Sequence, residues 1–127
     1  MTTKSNRILC VEDDPDACEL LSVVMKQEGY QVITAPSFAE AITKITQEHF
    51  DLYLFDVYLP DQDEGLVLCR KVRSLDANVP VIIYSADARP ATQDQALVAG
   101  ATAFLTKPVD PSELSRLIKQ HLSTALS

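Results

Sequence analysis

The sequence predicts an α/β fold in which a five-stranded parallel sheet is covered by helices on both faces. Two observations lead to this prediction. Five short apolar runs recur along the 127-residue chain, and a segment with helical spacing of its apolar residues follows each run. Strand–helix alternation implies parallel strands that are joined by right-handed crossovers.

The predicted strands are mostly continuous apolar runs. A strand that is buried on both faces has a continuous apolar sequence, whereas a strand with one solvent-exposed face alternates apolar and polar residues. The five runs are Ile8–Val11, Val32–Ile33, Leu52–Phe55, Val81–Tyr84 and Ala103–Leu105.

The predicted helices carry apolar residues at the spacing of one helical face. The segment 90–99 is the weakest, because its apolar face consists largely of alanine. The residues of these faces are Ala17, Leu20, Leu21, Val24 and Met25; Phe38, Ala41, Ile42 and Ile45; Leu68, Val72 and Leu75; Ala91, Ala96, Leu97 and Ala99; and Leu114, Leu117, Ile118 and Leu122.

Capping residues mark the helix boundaries. Asp14 and Asp110 each precede a proline, which is the pattern of an N-cap carboxylate followed by proline at the first helical position. The segment Ser37–Glu40 has the form of a capping box. Gly29 and Gly100 follow helical runs, where a left-handed residue ends a helix.

Length and composition limit the possible classes of protein. We expect one domain over residues 1–127, with a core of about 6–123 and no output domain visible. The content of 46% hydrophobic residues excludes disorder. The start of the chain lacks the apolar core of a signal peptide, and no run reaches the ~20 residues of a membrane helix, so we expect a cytoplasmic protein without membrane contact. The net charge of −7 argues against direct nucleic-acid binding.

Three cysteines are present, Cys10, Cys18 and Cys69, without a C-x-x-C spacing. This odd number favours reduced thiols that act as small apolar residues over a redox or metal site.

Polar residues lie at the carboxyl ends of four predicted strands. This edge of an open α/β sheet is where ligands bind. Carboxylates that meet there repel each other and need a cation, and hard oxygen ligands favour Mg²⁺. A lysine supplies the complementary charge for a phosphate. The residues at this edge are Glu12, Asp13, Asp14, Asp56, Ser85, Thr106 and Lys107.

Three other sites are disfavoured by the same residues. The acidic loop 12–16 has the wrong charge for a flavin phosphate. A haloacid dehalogenase phosphatase needs an acid two residues after its nucleophilic aspartate, and Tyr58 stands there. The segment Asp61–Gly65 has its glycine at the wrong place for an EF-hand.

Over nearly its whole length the sequence resembles the receiver domain of bacterial two-component response regulators. The resemblance implies a flavodoxin-like doubly wound (βα)5 fold with the strand order 2-1-3-4-5. The segments that carry it are Ile8–Asp14, Asp51–Pro60, Pro80–Ala86 and Gly100–Pro108.

The resemblance implies a role for each acidic residue of the site. Asp56 is the implied phosphoacceptor, which takes a phosphoryl group from a sensor histidine kinase or a phosphotransfer protein. Asp13, Asp56 and the backbone carbonyl of Tyr58 are the implied ligands of Mg²⁺, and Glu12 is expected to act through a metal-bound water.

The resemblance also implies how the site responds. Lys107 is expected to contact a phosphoryl oxygen, and the Lys107–Pro108 bond is expected to be cis. Ser85 is expected to hydrogen-bond the phosphoryl group while Phe104 turns inward. The face built from residues 86–123 would then change for partner binding.

The implied function is a phosphorylation-activated signalling switch. It is not a turnover enzyme, and it has only intrinsic autophosphorylation and autodephosphorylation activity. Its output partner is a downstream protein or a missing output domain, and a homodimer through the 90–123 face is possible. The alternatives are a Mg²⁺-dependent aspartyl-phosphate phosphatase and an unphosphorylated receiver module that serves only for protein contacts.

Some features of the chain vary within the family or depart from its pattern. The loop 59–66 is one residue longer than usual between its proline and glycine, which leaves the start of the third helix open. Tyr58 and Asp87 flank the path of the hydrolytic water, and we hypothesise that Tyr58 lengthens the lifetime of the acyl phosphate. The alanine-rich segment 91–99 is expected to be the mobile part.

Overall fold

The computed structural model describes residues 6–58 and 64–126, with side chains to 122. Strands and helices alternate as predicted, and the five strands form one parallel sheet in the order β2-β1-β3-β4-β5. The elements are β1 Arg7–Val11, α1 Pro15–Gln27, β2 Gln31–Ala35, α2 Phe38–Gln47, β3 Leu52–Asp56, α3 Glu64–Leu75, β4 Val81–Ser85, α4 Pro90–Ala99, β5 Ala103–Thr106 and α5 Pro111–Leu126.

The sheet separates two apolar cores. Successive strand residues point to opposite faces, so neighbours such as Cys10 and Val11 belong to different cores. One core includes residues of α2, α3 and α4, and the other includes residues of α1 and α5. All five residues of β3 and of β4 are buried, which explains their continuous apolar runs.

The predicted caps are confirmed. Asp14 accepts a hydrogen bond from the Asp16 N–H at the start of α1, and Ser37 accepts one from the Glu40 N–H at the start of α2. Asp110 accepts one from the Ser112 N–H. Gly29 and Gly100 have φ values of 93° and 109°, which L side chains rarely adopt.

Helix α4 exists, but its buried face differs from the prediction. Ala96 and Ala99 are buried as expected, and Thr92 is buried with them. Ala91 and Leu97 are exposed instead. The buried face of α4 is rotated from the predicted one because the prediction considered only apolar residues. A threonine can also be buried when its hydroxyl has a hydrogen-bond partner.

Two other features bear on the site. Helix α3 begins at Glu64, whereas most of the longer loop, residues 59–63, lies outside the described residues. Among the helices that the structure describes, none combines the length and the apolar character needed to cross a bilayer.

Candidate functional site

The carboxyl ends of four strands bring the predicted polar residues to one edge of the sheet. Asp56 is the last residue of β3 and Ser85 the last of β4. Glu12 directly follows β1, and Lys107 directly follows β5. Parallel strands in register therefore place residues that are up to 95 positions apart within hydrogen-bonding reach.

Three carboxylates form the centre of this edge. In the described part of the chain, one oxygen from each of Glu12, Asp13 and Asp56 lies within 4.8 Å of the others. Glu12 is 1% exposed and Asp56 is 4% exposed, whereas Asp13 is open to solvent. Asp14, which was predicted at the same edge, caps α1 and lies outside this group.

Lys107 is the cation of the site. Its Nζ lies 2.6 Å from Asp56 Oδ2 and 3.5 Å from Glu12 Oε1, and 5.0 Å from the centroid of the Tyr84 ring. Partial burial alone would lower the pKa of Lys107, but the hydrogen bond and the charge of Asp56 outweigh it and raise the pKa. Lys107 is therefore fully charged at neutral pH. The predicted cis bond between Lys107 and Pro108 is confirmed.

Tyr84 is a site residue that the sequence did not reveal. Its ring is 1% exposed, and its hydroxyl donates a 2.7 Å hydrogen bond to Glu12 Oε1. The sequence places Tyr84 only as the end of an apolar run. One usable signal was its position directly before Ser85, because a tyrosine at a strand end buries its ring and still needs a partner for its hydroxyl.

The pKa values of the acids reflect burial and the hydrogen bonds that offset it. Burial acts to raise the pKa of Glu12, but hydrogen bonds from Tyr84 and from the Asp14 N–H lower it below its ordinary value. Burial raises the pKa of Asp56, although Lys107 and the Tyr58 N–H act against the increase. Partial burial and the nearby Glu12 raise the pKa of Asp13.

The group fits a divalent cation by its chemistry. Three carboxylates face one ammonium group, so two negative charges are left without a partner when all three acids are ionised. Oxygen ligands of this kind are those that Mg²⁺ takes, commonly together with waters and a phosphate. Glu12, Asp13 and Asp56 are the residues that could hold the ion. The backbone carbonyl of Tyr58 stays a prediction as a ligand.

The predicted switch residues lie on β4 and β5. Ser85 is fully buried; its hydroxyl accepts a 3.0 Å hydrogen bond from the Asp87 N–H, and its carbonyl accepts one from the Lys107 N–H at 2.9 Å. Phe104 is half-buried against the core beneath α2–α4. The structure therefore brings Ser85 next to the site, while the inward movement of Phe104 stays a prediction. Thr106 is exposed.

Gly65 contributes to the site by its lack of a side chain. A Cβ atom at this position would lie 1.8 Å from the carbonyl oxygen of Asp56 and 2.9 Å from the Cα of Val57. The Gly65 N–H donates to the Val57 carbonyl at 2.9 Å. Helix α3 thus begins in direct contact with the backbone that carries Asp56, and only glycine allows this approach.

The three cysteines are free, and two of them behave as predicted. Cys10 and Cys69 are fully buried. Cys18 differs, since it is only half-buried and its pKa is lowered to about 7, first by a hydrogen bond with Cys10 and then, against partial burial, by one with Thr34. No apolar pattern in the sequence distinguishes Cys18 from the other two.

An apolar cavity of about 450 Å³ opens beside the acidic group, between α1 and the connection from β5 to α5. Glu12, Tyr84 and Lys107 form its polar end. Leu20, which is 59% exposed, contributes to its apolar wall together with Val109. The edge of the sheet that carries the acidic group is therefore continuous with an apolar surface.

Comparison with known proteins identifies relatives of this chain. The family described as "Response regulator receiver domain" matches residues 8–119. A protein named "Uncharacterized 14.6 kDa protein in sodA1 3'region" from Leptolyngbya boryana is 40% identical to this chain. The alignment covers 90% of this chain and 88% of that protein. The transcriptional regulatory protein GlrR of Escherichia coli K12 is 36% identical over 96% of this chain, but the chain spans only 27% of its length.

Solved structures show the same similarity. A response regulator receiver domain protein (CheY-like) from Methanospirillum hungatei JF-1 has a TM-score of 0.89 and is 35% identical to this chain. The match covers 95% of this chain and 96% of that one. The described fold therefore extends over nearly the whole length of both proteins.

Proposed function

The chain belongs to the family of response regulator receiver domains, and from this premise we propose that it is a phosphorylation-activated signalling switch with Asp56 as its phosphoacceptor. One observation carries the proposal. Asp56 is buried at the end of β3, bonded to Lys107 at 2.6 Å, and grouped with two further carboxylates. A buried acid beside a cation and an acidic pocket combines a nucleophile with the means to neutralise a phosphoryl group.

Mg²⁺ is part of the proposal, held by Asp13, Asp56 and the carbonyl of Tyr58, with Glu12 acting through a water. When bound, the ion supplies positive charge next to the phosphoryl oxygens. The Tyr84 hydroxyl keeps Glu12 in place by its 2.7 Å hydrogen bond. The hydrogen bonds that lower the pKa of Glu12 keep this carboxylate ionised, so it can attract a cation at neutral pH.

The transfer itself needs little from the protein beyond position and charge. A carboxylate oxygen of Asp56 attacks the phosphorus of a phosphohistidine, a new P–O bond forms, and the P–N bond breaks with its electron pair left on the imidazole. Lys107 then turns from the Asp56 carboxylate to a phosphoryl oxygen. Ser85 donates its hydroxyl to another phosphoryl oxygen. The phosphoryl group of the acyl phosphate carries about −1.5 to −2 of charge, as in other protein phosphorylations, and it replaces the single negative charge of the Asp56 carboxylate.

The output of the proposed switch is binding. The movement of Ser85 and the inward turn of Phe104 change the 86–123 face. Leu97 and Val98 on this face are 58% and 87% exposed, which suits a contact with a downstream protein, an output domain or a second copy in a homodimer. The phosphodonor is a sensor histidine kinase or a phosphotransfer protein. The free thiols of Cys10 and Cys69 fit the reducing cytoplasm, where we place the protein.

Acetyl phosphate and Mg²⁺ test the proposal directly. Intact mass should show one phosphoryl adduct on the wild-type chain and none on Asp56→Ala. The matched control is Asp94→Ala, which removes an exposed aspartate of α4 and should accept the adduct normally.

The alternatives predict different results. Rapid turnover of phosphate esters without a stable adduct would favour a Mg²⁺-dependent aspartyl-phosphate phosphatase. If the chain shows neither an adduct nor turnover, the result would favour a receiver module that serves only for protein contacts.

A further inference from the structure

A cluster of hydrogen bonds converges on Asp87, a residue between β4 and α4 that the proposed transfer does not use. The Tyr58 hydroxyl donates to Asp87 Oδ2 at 3.3 Å, and the Thr92 hydroxyl donates to the same oxygen at 2.7 Å. Arg89 donates to the carboxylate through Nε at 2.9 Å, through a guanidinium NH2 at 2.7 Å and through its backbone N–H at 3.1 Å. The Asp87 side chain is only 17% exposed.

This cluster connects the phosphoacceptor to helix α4. The Tyr58 N–H donates to Asp56 Oδ1 at 3.1 Å, so the residue that reaches Asp87 with its hydroxyl also holds Asp56 with its backbone. On the other side, Thr92 lies in the first turn of α4 and is 4% exposed. A continuous chain of hydrogen bonds thus runs from Asp56 through Tyr58 and Asp87 to Thr92.

Ser85 depends on the same segment. Its hydroxyl accepts the Asp87 N–H at 3.0 Å and is fully buried. In the proposed switch the Ser85 hydroxyl leaves the Asp87 N–H and moves toward a phosphoryl group on Asp56, and the connection between β4 and α4 shifts with it. This shift moves Asp87 relative to Tyr58, which follows the end of a different strand.

We infer that Asp87 is a positioning residue that joins Tyr58 to Thr92 and holds the β4–α4 connection in the arrangement in which the Ser85 hydroxyl accepts the Asp87 N–H. We call Asp87, Tyr58 and Thr92 the Asp87 clasp. The inference rests on the proposed function. Bonds that are present in only one of two arrangements favour that arrangement by their free energy, and they oppose any ligand that needs the other one. The clasp therefore sets how readily the domain switches.

The charge of Asp87 supports this role. Two nitrogen atoms of the Arg89 guanidinium lie 2.9 Å and 2.7 Å from the two oxygens of the Asp87 carboxylate. Hydrogen bonds to a carboxylate are charge-assisted and stronger than those between neutral groups. Arg89 itself is 77% exposed and belongs to the same connection as Asp87. The Tyr58 contact is therefore the one that joins the end of β3 to this connection, and the Thr92 contact joins the connection to α4.

Beryllofluoride with Mg²⁺, a mimic of the phosphoryl group, tests the clasp by isothermal titration. Tyr58→Phe and Thr92→Val each remove one hydroxyl and keep the shape of the side chain. Each variant should bind beryllofluoride about three- to tenfold more tightly, which corresponds to the loss of one hydrogen bond. The matched controls are Tyr30→Phe and Thr46→Val, which alter residues outside the clasp, and they should bind with wild-type affinity.

The sign of the change distinguishes the clasp from a merely structural role. Structural damage weakens binding, whereas release of the clasp strengthens it while the stability falls. Unchanged or weaker binding in both Tyr58→Phe and Thr92→Val would overturn the inference.

Failure of the proposed function would look different. A wild-type chain that binds no beryllofluoride would count against a phosphoryl site at Asp56. The clasp would then be judged by amide exchange without ligand, where Tyr58→Phe should speed exchange of the Thr92 and Gln93 amides. Unchanged exchange there would overturn the clasp as well.

Discussion

Replacement of Tyr84 with phenylalanine removes one oxygen atom from the most buried hydrogen bond of the site. Tyr84 and Glu12 are each 1% exposed, and the lost bond is 2.7 Å long. Phenylalanine fills the same space, so no cavity adds to the effect. Glu12 keeps the Asp14 N–H at 3.2 Å and the more distant Lys107 at 3.5 Å, but one of its oxygens loses its short donor.

The expected cost is that of one charge-assisted hydrogen bond to a buried carboxylate, about 1.5–3 kcal/mol of unfolding free energy. For a domain of this size this corresponds to a decrease of roughly 5–10 °C in Tm. Urea unfolding at pH 7 measures the difference. The control is Tyr53→Phe, a buried tyrosine of β3 whose hydroxyl lies outside the acidic site, and it should change stability by much less.

The pH dependence of this effect follows from the lowered pKa of Glu12. A carboxyl with a lowered folded-state pKa stabilises the fold above its ordinary value of 4.5, and it loses this contribution as the pH falls through the folded-state value. The difference between Tyr84→Phe and the wild type should therefore be complete at pH 7 and shrink below pH 4.5. A difference of under about 0.5 kcal/mol at pH 7, or one that does not depend on pH, would refute the assignment of Tyr84 as the partner of ionised Glu12.

Three further outcomes are expected. Gly65→Ala should slow adduct formation from acetyl phosphate by about 100-fold, because its Cβ would displace the Asp56 backbone; a normal rate in a folded variant would contradict the close approach. Iodoacetamide should label Cys18 with a rate that rises through pH 7, where its pKa lies, and spare Cys69, whose pKa burial raises to about 11; a midpoint near pH 9 would contradict the lowered pKa of Cys18. Tyr58→Asn should lose its phosphoryl group faster than the wild type in a mass time course, because the smaller side chain shields the acyl phosphate less, and an equal lifetime would remove the shielding role of Tyr58.

The order of the elements was predictable because it depends on local patterns. The continuous run Leu52–Phe55 indicated a strand that is buried on both faces, and β3 is buried throughout. The N-cap at Asp14 and the helix end at Gly100 could be predicted from the sequence, because each residue acts within a few positions of its own helix end. Once the strands are known to be parallel, their carboxyl ends must share an edge, so Asp56 and Lys107 could be placed together before any distance was known.

The buried face of helix α4 could not be predicted from local sequence patterns. The sequence placed Ala91 and Leu97 on its inner face, and the structure buries Thr92 instead. Thr92 can be buried because Asp87, five residues earlier, accepts its hydroxyl. The pairing depends on the path of the β4–α4 connection, which hydrophobic spacing does not describe.

The sequence by itself determined the parallel sheet, the order of its elements and the edge at which its acids and its lysine meet. Only the tertiary structure decided which of these groups bond to each other. Glu12 pairs with Tyr84, which is 72 residues away, and Tyr58 pairs with Asp87, which is 29 residues away. The physical reason is that a hydrogen bond requires its atoms to lie within a few tenths of an ångström of an ideal distance. For residues on different strand ends, that distance depends on how the whole sheet and its helices pack.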